Sequence, residues 1–149
     1  MKLSKKAEYA LRAVVAMARE SPGRTFSIQE IATGERIPLK FLEQILLVLK
    51  NGGILRSKRG VGGGYQLARQ AKRLSLGELL ELIDGEAEPI PCSAAVGTQN
   101  ECECGVPGGC ALGRTLAQLR DEAHEWLHQT TIADVIEKER PKDSMSFEI

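Results

Sequence analysis

Between two short β-prone runs the chain reads Ser57-Lys58-Arg59-Gly60-Val61-Gly62-Gly63-Gly64. A run this rich in glycine holds neither a helix nor the interior of a strand. The flanks, Ile54-Leu55-Arg56 and Tyr65-Gln66-Leu67, read as two short strands, so the segment predicts a hairpin with a basic tip. It is not a nucleotide loop, because the Gly-Lys-Ser/Thr ending is missing. It is not a dinucleotide fingerprint either, because no strand–glycine loop–helix order surrounds it. A DNA-binding wing fits the basic residues and close-approach glycines; a merely flexible hairpin tip is the plainer alternative.

Upstream the pattern is helical. From Ser4 to Arg19, Ala7, Ala10, Leu11, Val14, Val15 and Ala18 recur at steps of three and four. Glu8 and Arg12 lie one turn apart, a spacing that suits a surface ion pair. Ser27-Ile28-Gln29-Glu30 is a capping box opening a short helix, with Ile28, Ile31 and Ala32 inward. Gly34 to Ile37 form a turn, and Pro38 suits the first position of a third helix that runs to about Asn51. Phe41, Leu42, Ile45, Leu46 and Leu49 make its apolar stripe, and Gly52 and Gly53 stop it. Two helices joined by a tight turn are a helix-turn-helix candidate, and the hairpin after them strengthens it.

Composition places a partner on this half. Residues 1–74 hold 15 Lys+Arg against 5 Asp+Glu, and residues 75–149 hold 5 against 15. The net charge of zero therefore hides a balance of +10 followed by −10. A half so basic points to a polyanion such as DNA, against the alternative of solvated charge. No run of about 18 apolar residues occurs, and the basic start is not followed by a secretory h-region. A cytoplasmic protein is expected, with no membrane partner.

Downstream, Ser75-Leu76-Gly77-Glu78 is a second capping box, opening a helix with Leu76, Leu79, Leu80 and Ile83 inward and Gly85 closing it. Pro89 and Pro91 lead into a loop holding all four cysteines, Cys92, Cys102, Cys104 and Cys110. In a reducing compartment such a cluster binds metal or does redox chemistry more often than it forms structural disulfides. The intervals are nine, one and five residues, without the paired Cys-x-x-Cys knuckles of structural zinc. Iron–sulfur clusters accept such wide spacings; zinc and a thiol–disulfide switch stay open. From Ala111 to Gln129 a longer helix is expected, with Leu112, Leu116, Leu119, Ala123, Trp126 and Thr130 at alternating steps of four and three. That is a coiled-coil seam for a second copy, unless it packs within the chain. Thr131-Ile132-Ala133-Asp134 caps a last short helix ending near Glu139, before a polar tail from Pro141 to Ile149.

Taken together, these segments resemble the Rrf2 family of winged-helix regulators, the group of IscR and NsrR, over roughly residues 1–138. The resemblance rests on Leu3-Ser4-Lys5-Lys6-Ala7-Glu8-Tyr9-Ala10-Leu11, Ile28-Gln29-Glu30-Ile31-Ala32 and Pro38-Leu39-Lys40-Phe41-Leu42-Glu43-Gln44-Ile45-Leu46. Arg59-Gly60-Val61-Gly62-Gly63-Gly64-Tyr65-Gln66-Leu67, the box at Ser75 and the late cysteines complete it. It implies a mainly α fold with a small β-wing, a winged helix-turn-helix plus a long dimerisation helix. The expected divisions are 1–85 for DNA binding, 86–111 for a cluster-binding loop, 112–139 for dimerisation and 140–149 for a flexible tail.

The resemblance further implies a homodimer on a palindromic promoter site in double-stranded DNA, with the third helix in the major groove and the wing at the minor groove. Lys40, Glu43 and Gln44 fall where the family reads bases, and Arg59 where its wing touches DNA. Tyr9, Gln29, Arg56, Lys58 and Gly60 complete the expected DNA-binding set, Tyr9, Arg56 and Lys58 at phosphates. Cluster-binding members use three loop cysteines, matched by Cys92, Cys104 and Cys110, with Cys102 a possible further ligand. IscR-like members place a histidine three residues after the last cysteine; here that position is Gly113. Other members take a carboxylate from the first helix of the opposite subunit, and Glu8 matches it. The cofactor implied is a 2Fe–2S or 4Fe–4S cluster sensing redox state, nitric oxide or iron supply. A cluster-free thiol switch or zinc-stabilised regulator is the alternative. From another class, His124-Glu125-Trp126-Leu127-His128 matches the His-Glu-x-x-His motif of zinc peptidases, with a later carboxylate as third ligand. A purely structural zinc module that docks another protein is a third class.

Overall fold

The structure is a computed structural model that describes residues 3–85, 105 and 110–139. The loop cysteines Cys92, Cys102 and Cys104, the prolines before them and the tail lie outside those residues. The described elements are α1 (Lys5–Ala18), α2 (Ile28–Glu35), α3 (Leu39–Asn51), β1 (Leu55–Lys58), β2 (Gly64–Leu67), a 3-10 turn (Ala71–Arg73), α4 (Leu76–Asp84), α5 (Ala111–Gln129) and α6 (Ile132–Glu139). The fold is mainly helical with one small antiparallel sheet.

Ser4 caps α1 by accepting from the Ala7 N–H at 3.0 Å, and its hydroxyl donates to Asp84 Oδ1 at 2.5 Å. One side chain therefore starts α1 and ties it to the end of α4. The buried face of α1 is built from small residues, Ala7, Ala10, Ala13, Val14 and Val15, with Met17. Small side chains let neighbouring helices approach closely, and α1 packs on α3 and α4.

At α2 the expected capping box forms by half. Ser27 Oγ accepts from the Glu30 N–H at 3.1 Å, while the Glu30 carboxylate pairs with Arg24. Arg36 closes α2 in the left-handed region at φ 53. Pro38 is the cap of α3 and not its first helical residue; its carbonyl accepts from the Phe41 and Leu42 N–H groups. The buried stripe of α3 is Leu42, Ile45, Leu46 and Leu49, all fully buried. Phe41 departs from the expected stripe and is 38% exposed. It lies one residue, about 100° of helix turn, from Leu42 and faces the edge of the core.

The strands reach further into the glycine run than the sequence predicts. Their register pairs Leu55 with Leu67, Arg56 with Gln66, Ser57 with Tyr65 and Lys58 with Gly64. Ile54, expected to open the first strand, is instead buried before it. Phe26 bridges Tyr65 through two 2.8 Å backbone hydrogen bonds, which fastens the wing to the segment before α2. That junction requires Gly64: a Cβ there would lie 2.1 Å from the Phe26 carbonyl oxygen, and its φ is 150.

Ser75 caps α4 through the Glu78 N–H at 3.2 Å. Leu79 and Ile83 are buried, while Leu76 and Leu80 are partly buried against the same core. The chain returns at Thr131, which bridges Ser75: Leu76 N–H donates to the Thr130 carbonyl and Ile132 N–H to the Leu74 carbonyl. Fully buried Leu74 and Ile132 flank this bridge and join α6 to the main core. Each such side chain contributes roughly 1.5–3 kcal/mol on burial.

Candidate nucleic-acid interface and thiolate site

α3 is amphipathic, and its buried stripe decides what its outer face presents. With Leu42, Ile45, Leu46 and Leu49 inward, Lys40, Glu43 and Gln44 are exposed. Gln29, on α2, is exposed as well. On the wing, Arg56, Lys58, Arg59 and Gly60 are exposed, with Gly60 at φ 95 beside the fully exposed Val61. Arg56 is held in place: its Nε donates to Gln66 Oε1 at 2.9 Å, and the Gln66 amide donates onward to Thr25.

Ion pairing separates the basic residues into two groups. Arg12, Arg19, Arg24, Arg69 and Arg120 are engaged by carboxylates. Among the described residues, Lys40, Lys58 and Arg59 have no carboxylate partner, and neither do Lys6, Arg36, Lys50, Arg56, Lys72 and Arg73. The unneutralised cations of α3 and the wing are those that counter-ion release would reward at a phosphate backbone. Arg36 was not singled out by the sequence; only its place in the turn before α3 hints at it.

Tyr9 is half-buried, not free at the surface. Its ring meets Phe41 edge-on, and the Lys5 and Arg12 cations lie 5.8 and 5.7 Å from its centroid. Glu8, the residue before it, is partly exposed and pairs first with Lys5 at 2.7 Å. The pair with Arg12 expected from spacing is long, 3.9 Å. Arg12 turns instead to Glu35, bonding its main-chain carbonyl at the end of α2 and its carboxylate at 3.5 Å. The Lys5 hydrogen bond foremost holds the Glu8 carboxyl below its ordinary value.

Cys110 is the cap of α5, and its Sγ accepts from the Gly113 N–H at 3.4 Å. A helix N-terminus suits a negatively charged ligand atom. Gly113 is buried, so this turn offers the sulfur a backbone N–H and no imidazole. Beyond it, the expected seam splits in two. Leu112, Leu119 and Trp126 are 60%, 58% and 54% exposed, seven residues apart. Leu116 and Ala123 are half-buried and Thr130 is buried.

His124 and His128 do come together, but with Glu81 of α4 and not with a later carboxylate. Their Nε2 atoms lie 3.0 and 2.9 Å from Glu81 Oε1. Glu125, the base a peptidase would need, accepts from Gln129 at 2.8 Å. No local signal marks Glu81, which lies 43 and 47 residues from the two histidines.

The Rrf2 family, described as iron-dependent transcriptional regulators, matches residues 3–138. The chain belongs to the Rrf2 family. An Rrf2 relative from Cereibacter sphaeroides, the HTH-type transcriptional regulator IscR, is 33% identical over 144 residues, covering 93% of this chain and 89% of its own. Among solved structures, CymR, the global cysteine regulator of B. subtilis, superposes with a TM-score of 0.75 at 25% identity, covering 93% of this chain and 98% of its own. The oxidized form of Staphylococcus aureus CymR gives 0.72 at 29% identity, covering 92% and 97%. As an Rrf2 protein the chain is a DNA-binding, winged-helix transcription regulator and not an enzyme, which removes the peptidase alternative. Among the described residues no helix is long and apolar enough to cross a membrane.

Proposed function

We propose that the chain is a cytoplasmic homodimer that binds a palindromic promoter site and reads redox state, nitric oxide or iron supply through an iron–sulfur cluster. The carrying observation is the position of Cys110 at the N-cap of α5. Whatever the sulfur holds or releases acts on the first turn of the helix whose uncovered face, Leu112, Leu119 and Trp126, is available to a second copy.

Cys92, Cys104 and Cys110 would hold the cluster, with Cys102 a further candidate and the partner subunit's Glu8 as the carboxylate ligand. The donor set fits: thiolates suit iron–sulfur chemistry, and a partly exposed carboxylate held ionised by Lys5 is an available oxygen donor. When bound, such a group supplies a centre that changes charge on oxidation or is lost when iron is scarce. The family description as iron-dependent and the likeness to IscR support it.

The chain's own residues carry the readout. Lys40, Glu43 and Gln44 face a major groove, where Glu43 can accept from a cytosine amino group. Arg59 and Gly60 face a minor groove; Tyr9, Gln29, Arg56 and Lys58 position the backbone. In a twofold dimer, a change in the angle at which α5 leaves Cys110 alters half-site spacing. A coupling of about 1–3 kcal/mol gives roughly 5–150-fold regulation.

A cluster-free thiol switch is the second reading, favoured by the likeness to the oxidized form of CymR. Anaerobic purification with iron and sulfide counting, followed by operator binding of both forms, separates the two. Coloured protein with iron and sulfide, whose DNA affinity changes on cluster loss, supports the first. Colourless protein whose DNA affinity changes with thiol oxidation replaces it with the second.

A further inference from the structure

We propose that Glu81, His124 and His128 form a site for one zinc-class divalent ion, which clamps α5 onto α4. The site is independent of the thiolate loop and shares no residue with it.

The chemistry is that of a two-histidine, one-carboxylate set. His124 and His128, one turn apart on α5, present their rings side by side with centroids 4.4 Å apart. Glu81 reaches both from α4, and one ligand atom from each residue lies within 4.8 Å of the others. Tetrahedral zinc with Zn–N and Zn–O bonds of about 2.0–2.2 Å needs its ligand atoms roughly 3.3 Å apart. The observed 3.0 and 2.9 Å separations from Glu81 Oε1 need only a small expansion to admit the ion.

Two further observations bear on the site. Gly77, one turn before Glu81 on α4, is buried beneath the His128 ring: a Cβ there would lie 2.5 Å from His128 Cδ2. Any larger residue would push that ring off its position. Arg120, one turn before His124 and on the same side of α5, is engaged by Asp121 at 2.7 Å and so is not paired to Glu81. His124 is mostly exposed, which leaves an approach for the ion and room for a water as fourth ligand. Glu81 itself is held ionised by its hydrogen bonds to His128 and then His124. An ion bound through both Nε2 atoms leaves each neutral imidazole with its one proton on Nδ1, and any further proton shared with Glu81 passes to solvent.

Such a clamp would fix the direction in which the exposed α5 face leaves the DNA-binding part. The test uses the full chain with Cys92, Cys102, Cys104 and Cys110 replaced by serine, its fold checked by far-UV circular dichroism. Zinc competition against a chromophoric chelator, in mildly alkaline buffer, should give one equivalent bound. Glu81→Gln or His124→Gln should weaken it about tenfold or more. In the cysteine-containing chain with its thiols first alkylated by iodoacetamide, Cu2+ should give an electron paramagnetic resonance signal with nitrogen coupling that His124→Gln diminishes. This arm decides the matter if the serine variant misfolds. No bound equivalent in the folded serine variant, equal affinity in the glutamine variants, or a copper signal indifferent to His124 would overturn the site.

Discussion

Tyr9 meets Phe41 edge to face, with ring centroids 5.7 Å apart and planes at 84°. The contact joins the helix that carries Glu8 to the helix that carries Lys40, Glu43 and Gln44. If Glu8 is a cluster ligand and α3 meets DNA, as proposed, this aromatic pair lies between the two. Phe41→Ala should destabilise the fold by about 1–3 kcal/mol, from lost burial and the aromatic pair. Tyr9→Phe should leave stability nearly unchanged, because the edge contact survives. If the hydroxyl bonds a phosphate, Tyr9→Phe should still weaken operator binding several-fold. Urea unfolding and fluorescence anisotropy measure the two effects separately.

The cations without carboxylate partners should govern salt dependence. Lys58→Ala and Arg59→Ala should each lower the slope of log Kobs against log salt by about one. Glu43→Gln should leave the slope unchanged and relax preference at one base pair, by roughly 1–3 kcal/mol of discrimination. Operator titrations at several salt concentrations, with single-base variants of the site, distinguish these outcomes. A Glu43→Gln protein with unaltered base preference would remove Glu43 from the reading face.

Gly64 is the wing's fixed point. Gly64→Ala drives a methyl into the Phe26 carbonyl and breaks the Phe26–Tyr65 bridge. It should destabilise the wing and weaken DNA binding, while any bound iron and the oligomeric state stay as in the parent. Amide exchange at Phe26 and Tyr65 should accelerate specifically, which shows that the loss is local.

What the sequence disclosed, and what it withheld, follows from how local each signal is. Ser27, Ser75 and Thr131 announce helix starts because cap and partner lie three residues apart, and all three caps form. The bounds of α5, Ala111 and Gln129, follow from its helical periodicity, although the seam itself divides into an exposed and a buried set. Phe41 was misplaced because a helical stripe only says which residues share a side, not how wide an arc the neighbouring helices cover. Spacing pairs Arg12 with Glu8, and that pair forms at 3.9 Å, but the closer partner, Glu35, comes from another helix and has no local signal. Glu81 could not have been found from the sequence: only tertiary packing of α4 on α5 brings it to the histidines. The expected roles of Glu8 and the loop cysteines came from family likeness, which no helical period or cap can supply.

Acid should loosen the junction between α5 and α6. Asp134 accepts from the Thr131 N–H and hydroxyl, both at 2.7 Å, and those bonds, the backbone one first, hold its carboxyl below its ordinary value. A depressed folded pKa means that this contribution is complete above the ordinary aspartate range and is lost as pH falls through the folded value. Asp134→Asn should therefore lower Tm near neutrality and flatten the decline of Tm between about pH 5 and about pH 3. Parallel slopes for parent and variant would show that the box contributes nothing to acid sensitivity.

The uncovered face of α5 makes the assembly testable without touching the core. Leu119 is more than half exposed and lies midway between Leu112 and Trp126 on that face. A charge there costs the isolated protomer little, because surface substitutions usually fall within about 0.5 kcal/mol. In a helix-to-helix dimer the same charge is buried without a partner and is strongly unfavourable. Leu119→Lys should therefore yield monomers by sedimentation velocity, with unchanged circular dichroism. It should also abolish tight binding to a two-half-site operator, because a monomer holds only one half-site. If Leu119→Lys sediments as a dimer, another surface joins the copies, and the coupling from Cys110 through α5 must be abandoned.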